Sequence, residues 1–266
     1  MSDSISEFTP KLVKYSNNPD IQKRVEDQEE LIEDEAPNSD KFRTNQDLVK
    51  LNKEARDKVA SQIKLERERE RKYKDKVTGL KNRLWFDQKL EEVAKTAETE
   101  DNPNYAVIVY DIDQFKKFNS VYGHPGGDKV LGLLSKVFRK DEAVARYGGE
   151  EIAQIVNLND IRTEAPLSDD DKIEAITDRP RTTLRLLSRG TIASLAEIDH
   201  QEEVAPKEVT LSFGVSKIQK GENPVACVQR ASEGVLHAKN NGRNRGFIAE
   251  RGNNVIQFKP VGQKTA

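Results

Sequence analysis

Cysteine is almost absent from this chain of 266 residues, which contains Cys227 alone. A single thiol excludes an intrachain disulfide and is typical of proteins from a reducing compartment. Cys227 lies among apolar residues, so the sequence predicts a small core residue there rather than a nucleophile. Histidine is scarce as well, and the three histidines do not form a metal-ligand spacing; they are His124, His200 and His237.

The chain also lacks a long hydrophobic run and a strong excess of one charge. Its longest apolar stretch, residues 105–110, is far shorter than the ~20 residues that a membrane helix needs. The N-terminus has no basic region followed by an apolar one, so we expect no secretion signal. The net charge of −2 argues against a general nucleic-acid binder. These absences predict a cytoplasmic protein that binds neither membranes nor nucleic acid.

Charge is abundant but unevenly distributed along the chain. Residues 1–40 are rich in acids and poor in apolar residues, which predicts a disordered or weakly helical tail. A docking segment for a regulatory partner that the sequence does not identify is the alternative. Residues 41–74 turn basic, and apolar residues recur there at helical steps of three and four. Either a short coiled coil or a single helix packed on its own domain explains this stripe, which consists of Leu48, Leu51, Ala55, Val59 and Ile63.

A globular pattern covers residues 75–252, and a polar tail is expected at 253–266. Strand-like and helix-like segments alternate without a long repeat, which predicts an α/β sheet domain. Residues 105–110 read as a central strand that is buried on both faces.

The stretch 159–207 is harder to interpret. The acidic run Asp169–Asp171 suggests a loop, and residues 183–187 and 192–198 fit either a helix or a strand. The pattern leaves these alternatives open.

Carboxylates follow two strand-like parts of this domain. Asp111 follows the buried strand, at the edge where α/β sheets bind ligands, although an Asp there also caps a following helix. Glu150 and Glu151 follow two glycines, which is typical of a tight hairpin that either carries solvated acids or holds a cation. Carboxylates with waters and phosphates are the usual ligands of Mg²⁺. Three basic side chains either bind phosphate oxygens or are simply solvated on the surface: Lys116, Lys239 and Arg243.

Four separated stretches resemble the GGDEF-domain diguanylate cyclases, in the family's order. They are Asp75–Arg83, Asp111–Asn119 continuing through Gly123–Asp128, the signature Arg146–Ile152 (Arg-Tyr-Gly-Gly-Glu-Glu-Ile), and Ala238–Asn244. Each motif is weak alone, but the four together are highly specific. The resemblance covers about residues 75–250 and not residues 1–70. It implies a nucleotide-cyclase-like α/β domain, with a central, mostly antiparallel sheet flanked by helices and preceded by an N-terminal helix.

The resemblance also implies a reaction, in which two GTP molecules condense to cyclic di-GMP and pyrophosphate. Because one domain binds one GTP, it implies a homodimer, and it places the protein in the bacterial cytoplasm. The implied ligands of Mg²⁺ or Mn²⁺ are Asp111, the Ile112 carbonyl, Glu150 and Glu151. The implied catalytic residues are Glu150, Glu151 and Lys116. Guanine would be bound by Asn119 and Asp128, and the backbone of Gly148 and Gly149 would lie close to the nucleotide. The triphosphate would be bound by Lys116, Lys239 and Arg243.

The sequence departs from the family pattern at several positions. The signature ends in Ile152 where the family has Phe, and an apolar residue that faces the core tolerates this change. The family's inhibitory motif becomes Arg139-Lys-Asp-Glu142, with Glu in the place of Asp, so we expect product inhibition to be weak or absent. The stretch 159–207 lacks the family's helix pattern and suggests an insertion. Other departures are Ser120, Ser232 and Leu236.

Three alternatives compete with an active cyclase. A catalytically inactive GGDEF domain would bind GTP or cyclic di-GMP as a regulatory module, but such a module needs no metal-binding carboxylates. A structural coiled-coil adaptor is disfavoured by the short heptads. A cyclase that makes a mixed dinucleotide is disfavoured by Asp128, whose carboxylate matches the paired donors of guanine.

Overall fold

The computed structural model describes residues 45–100, 103–161, 166–196, 208–252 and 255–262. The chain divides into two compact units, Met1–Lys72 and Tyr73–Ala266. The acid-rich segment 1–40 and its expected docking role lie outside the described residues. No helix in the described ranges is long and apolar enough to cross a membrane.

The described residues of the first unit all belong to one helix, α1, which runs over Asn45–Tyr73. Arg71 and Lys72 occupy its last turn, where positive charge interacts favourably with the helix dipole. Of the apolar stripe, the side chains of Val59 and Ile63 are half-buried, while nearby Leu65 is exposed. The structure does not describe the side chains of the other three stripe residues, Leu48, Leu51 and Ala55. The coiled coil therefore stays a prediction.

A seven-stranded sheet forms the centre of the second unit, in the order β1-β3-β4-β2-β5-β6-β7. Only the pairs β1–β3 and β5–β6 are parallel, which confirms the expected mostly antiparallel sheet. The strands are β1 Lys81–Asn82, β2 Tyr105–Ile112, β3 Ala143–Arg146, β4 Glu151–Asn157, β5 Leu211–Lys217, β6 Gly246–Arg251 and β7 Ile256–Pro260.

Helices cover both faces of this sheet, because its central strand is apolar on both sides. Ile108 and Tyr110 of β2 belong to one hydrophobic cluster, and Val107 and Val109 belong to the other. The first cluster includes residues of α3 and α4, and the second includes residues of α2 and α5. The helices are α2 Arg83–Thr99, α3 Phe115–Val137, α4 Asp169–Ala196 and α5 Pro224–Asn240.

Cys227 and Ile152 are both core residues, as the sequence predicts. Cys227 is fully buried in the second cluster, and its Sγ donates to the Ser216 carbonyl at 3.4 Å. Ile152 is fully buried in the first cluster, so the side chain that replaces the family's Phe does face the core.

Two segments differ from the sequence expectation. Asp169–Asp171, expected in a loop, form the first turn of α4, where acids interact favourably with the helix dipole. Residues 183–187 and 192–196, which fit either a helix or a strand in the sequence, belong to this same helix α4. Residues 162–165 and 197–207 lie outside the described part. Residues 256–260, expected in a polar tail, form β7, which pairs with β6.

Helix α3 contains a break that shapes the site. Gly123 has φ 69° and ψ 171°, which is not a helical conformation and suits a residue without a Cβ. The sequence predicts two helices here, one closed by Gly123 and one opened by Gly126–Gly127. The structure has two helical halves joined at this kink.

Candidate active site

The central strand brings the predicted metal ligands to one edge of the sheet. Asp111 is the Cα partner of Glu151 in the antiparallel pairing of β2 with β4. The Ile112 N–H donates to the Glu150 carbonyl at 3.4 Å. Asp111, Ile112, Glu150 and Glu151 therefore lie together, as the sequence predicts from neighbouring strands.

Asp111 is almost buried and sits beside a cation. The residue is 5 % exposed, and Lys239 Nζ lies 2.7 Å from its Oδ1. Burial raises the pKa of Asp111 to about 6, the Lys239 ammonium opposes this rise, and the negative charges of Glu150 and Glu151 add to it. The site thus concentrates negative charge that a cation would relieve.

The oxygen donors at this edge fit a small divalent cation. Asp111 Oδ1 is buried, and the Lys239 ammonium lies beside it with Nζ 2.7 Å away. Within the described ranges, no group of three or more acidic, histidine or cysteine side chains lies close enough together to hold a metal ion. Mg²⁺ commonly uses only one or two carboxylates, with waters and substrate phosphates as its other ligands.

The signature turn between β3 and β4 is held by the first motif. Arg146 donates to the Gly149 carbonyl from Nε at 3.0 Å and from Nη2 at 2.6 Å, and its Nη1 lies 3.3 Å from Asp75 Oδ1. Asp75 also accepts from the N–H of Thr78 at 2.7 Å and from its hydroxyl at 2.8 Å. Burial raises the pKa of Asp75, but the bonds from Thr78 and the Arg146 charge outweigh it, so the net shift is downward. Sequence reasoning did not assign a role to this pair.

The two signature glycines have different surroundings. A Cβ on Gly148 would lie 2.4 Å from Glu151 Oε2, so a side chain there would displace that carboxylate. A Cβ on Gly149 would meet no described atom within 4 Å. Gly148 therefore accommodates Glu151, and Gly149 leaves its side of the turn open.

The start of α3 lies directly after strand β2 and suits an anion. Its N-cap residue Gln114 has a left-handed φ of 57° and makes no side-chain capping bond among the described residues. The first turn contains no acid and carries the exposed Lys116. A helix N-terminus with free N–H groups and a neighbouring cation is a favourable place for phosphate.

The kink in α3 brings the predicted guanine-binding residues near each other. Asn119 lies before Gly123, and Asp128 lies after it and is exposed. A Cβ on Gly127 would lie 1.9 Å from Asn119 Oδ1, which shows how closely the two halves approach. Asn119 Oδ1 is buried and makes no hydrogen bond within the described part of the chain.

The residues of the inhibitory motif contact helix α4. Glu142 forms an ion pair with Arg179 and accepts from the Arg139 N–H at 2.9 Å. Arg179 also donates to the Val137 carbonyl at 2.7 Å. Sequence reasoning missed Arg179, because the helix that carries it was not recognised.

Several curated proteins similar to this chain are named diguanylate cyclases. The profile described as "Diguanylate cyclase, GGDEF domain" matches residues 72–245. The "Probable diguanylate cyclase DgcT" of Escherichia coli is 33% identical over 191 residues, 70% of this chain and 37% of that protein. The "Response regulator PleD" of Caulobacter vibrioides is 35% identical over 175 residues, 64% of this chain and 34% of that protein. The chain thus spans little more than a third of either relative's length.

Solved structures agree with this match. The coiled coil and GGDEF domain of DgcB from Caulobacter crescentus, in complex with c-di-GMP, aligns with a TM-score of 0.54 at 26% identity, covering 75% of this chain and 96% of that chain. The diguanylate cyclase SiaD from Pseudomonas aeruginosa, in complex with its activator SiaC, aligns with a TM-score of 0.54 at 25% identity, covering 84% of this chain and 80% of that chain. The profile match, the four motifs and the fold agree: this chain belongs to the GGDEF-domain diguanylate cyclase family.

Proposed function

We propose that this protein is an active diguanylate cyclase, which condenses two GTP molecules into cyclic di-GMP and two pyrophosphates. The observation that carries the proposal is the cluster at the sheet edge, where Asp111 lies beside Glu150, Glu151 and Lys239. A binding module has no need to gather negative charge in this way. The reaction joins the 3′-hydroxyl of each GTP to the α-phosphorus of the other.

The carboxylates at this edge would hold Mg²⁺ or Mn²⁺. We assign Asp111, the Ile112 carbonyl, Glu150 and Glu151 as ligands, because they supply hard oxygen donors at one point of the sheet. When bound, the cation supplies charge stabilisation at the reacting phosphate. Gly148 leaves room for the Glu151 carboxylate, and Arg146 fixes the turn that carries both acids.

The remaining residues would bind the nucleotide. Lys116, Lys239 and Arg243 neutralise phosphate charge, and the open side of Gly149 lets the backbone lie against the ligand. Asn119 and Asp128 read guanine, since a carboxylate accepts from both N1–H and the exocyclic amine while adenine lacks this donor pair. The unpaired Oδ1 of Asn119 supports this role, because a buried polar atom without a partner is costly until a ligand supplies one.

Turnover requires two domains that face each other. Helix α1 is the candidate for bringing two chains together, and segment 1–40 is the candidate for binding a regulatory partner. Inhibition by product at Arg139 and Glu142 would be weak or absent, because Glu142 is longer than Asp and is already paired with Arg179.

The test is to incubate the purified full chain with GTP and Mg²⁺ and to identify cyclic di-GMP by mass spectrometry. We expect cyclic di-GMP and pyrophosphate with GTP, and neither after chelation of the metal. Binding of GTP or cyclic di-GMP without turnover would establish the alternative, an inactive regulatory module.

A further inference from the structure

The second acid of the Asp-x-Asp sequence, Asp113, has no role in the proposed reaction. It is 7 % exposed and accepts three hydrogen bonds. Oδ1 accepts from the Ser212 hydroxyl at 2.6 Å, and Oδ2 accepts from the Thr210 hydroxyl at 2.7 Å. Oδ2 also accepts from the backbone N–H of Asn244 at 3.0 Å. Asp113 therefore joins the end of β2, the start of β5 and the loop that follows α5.

That loop has an unfavourable backbone conformation. Gly242, Arg243 and Asn244 have φ values of 103°, 62° and 47°. Apart from Arg243 and Asn244, the only described non-glycine residue with positive φ is Gln114, which follows Asp113. Strained conformations persist when the surrounding structure enforces them, and they concentrate at functional sites. Two of the three non-glycine residues with positive φ thus lie next to Asp113, Gln114 by sequence and Asn244 by hydrogen bond, and Arg243 directly precedes Asn244.

The loop has other anchors at its two ends. The Arg243 N–H donates to the Ala238 carbonyl at 3.0 Å, and the Arg245 carbonyl accepts from the Phe213 N–H at 3.0 Å. Between them, the bond from Asn244 to Asp113 holds the residue directly after Arg243. The backbone directly after Arg243 is therefore tied to the Asp113 carboxylate.

We propose that Asp113 is a positioning residue for Arg243, acting through the backbone of Asn244 and without contact to the nucleotide. This inference rests on the proposed function, in which Arg243 binds GTP phosphates. A carboxylate suits this place because it can accept from all three groups with its two oxygens. An Asn side chain would offer one acceptor oxygen and turn an NH₂ group towards at least one of these donors.

The test compares full-length Asp113→Asn, Arg243→Ala and the double variant with the unaltered chain. Affinity is measured by calorimetry, with guanosine 5′-[α,β-methylene]triphosphate and Mg²⁺ as the probe. We expect each single change to weaken binding about tenfold or more, as loss of a phosphate contact does. In the Arg243→Ala background, Asp113→Asn should weaken binding by less than about twofold, because both changes remove the same interaction.

A matched control separates positioning from general destabilisation. Ser188→Ala removes a buried bond of 2.9 Å to the Val209 N–H, next to Thr210, and touches nothing in the loop. It should reduce thermal stability but leave probe affinity within about twofold. If Asp113→Asn does not fold, Thr210→Val removes one of the three donors with an isosteric side chain and should also weaken binding.

Hydrogen exchange of the Asn244 amide provides a readout that needs no nucleotide. Asp113→Ala, which leaves no acceptor for this N–H, should accelerate the exchange at least about tenfold. An unchanged exchange rate of the Asn244 amide would overturn the positioning role. So would a double variant whose loss of probe affinity equals the product of the two single losses. If the unaltered chain does not bind the probe, the proposed function fails, and hydrogen exchange alone decides whether Asp113 holds the loop.

Discussion

Lys239 Nζ lies 2.7 Å from Asp111 Oδ1, so an ion pair joins the second sequence motif to the fourth. The two residues come from the end of a central strand and the last turn of helix α5. Breaking either side leaves an uncompensated charge in a mostly buried place. The pair therefore links the proposed metal ligands to the residues proposed to bind phosphate.

Substitution of Glu151 tests the metal assignment. Glu151→Gln keeps the side-chain shape but removes the charge, so we expect cyclic di-GMP production to fall at least roughly a hundredfold, as for loss of a group that stabilises reacting charge. The melting temperature should change little, because Glu151 is only partly buried. Glu250→Gln on the exposed end of β6 is the matched control. Wild-type activity in the Glu151 variant would remove this residue from the metal site.

Base choice should depend on Asp128. Asp128→Ser removes the acceptor for two guanine donors, and we expect a loss of roughly 1–3 kcal/mol in the preference for GTP over ATP. Competition between the two nucleotides measures this preference. Asp141→Ser removes an exposed acid outside the site and should leave it unchanged. An unaltered ratio in the Asp128 variant would contradict its role.

Two glycines in α3 offer a matched pair of substitutions. Gly127→Ala places a Cβ 1.9 Å from Asn119 Oδ1, whereas Gly132→Ala places one 3.9 Å from its nearest neighbour, the Val77 carbonyl. Both changes bring the helix-favouring effect of alanine, about 0.5–1 kcal/mol. We expect only Gly127→Ala to weaken GTP binding, measured by calorimetry. Equal GTP affinities for the two variants would show that displacing the Asn119 side chain does not affect GTP binding.

The Asp75–Arg146 pair should make stability depend on pH. The folded pKa of Asp75 is below its ordinary value of 3.8, so the stability it contributes is present above that value and is lost as the pH falls through the folded pKa. Asp75→Asn should therefore lower the free energy of unfolding near pH 7 and have a smaller effect at about pH 3. Urea unfolding at both pH values measures this. Asp87→Asn, which breaks an exposed pair with Arg83, should have little effect at either pH.

Helix α1 should control activity through chain concentration. A variant that lacks residues 1–70 should bind GTP but lose most activity at low concentration and regain some at high concentration, because α1 raises the local concentration of the second domain. Specific activity and light-scattering mass across a dilution series provide the test. Ile63→Asp should act like the truncation, and Ser61→Asp on the exposed surface is its control. Identical curves for the full and shortened chains would make α1 a spacer.

The sequence predicts the parts of the site that depend on local pattern. The sequence predicts that Asp111, at the end of a buried strand, and Glu150, after the glycine turn, lie on neighbouring strands. Strands β2 and β4 do pair, which brings the two residues together. The regular apolar period of residues 224–240 predicts a helix, and the structure has helix α5 with these bounds and Asn223 capping its start. Gly123 likewise marks the break in α3.

Long-range relationships were not predictable from the sequence. Helix α4 contains Pro180 in its interior, which is a local signal against a helix that tertiary packing overcomes, and the three acids at its start resemble a loop in the sequence. Arg179 was missed with it. Strand β7 is polar and partly exposed, which conceals its pairing with β6. The contact of Asp75 with Arg146 joins distant motifs, and no local periodicity encodes it.

The burial of Cys227 has a practical consequence for chemical labelling. Burial raises the pKa of this thiol to about 12, so almost none of it is the reactive thiolate near neutral pH. A cysteine introduced at an exposed position such as Leu84 would then be the one thiol that a maleimide reaches. Fluorophores for measuring distances between two chains can therefore be attached without replacing the native cysteine.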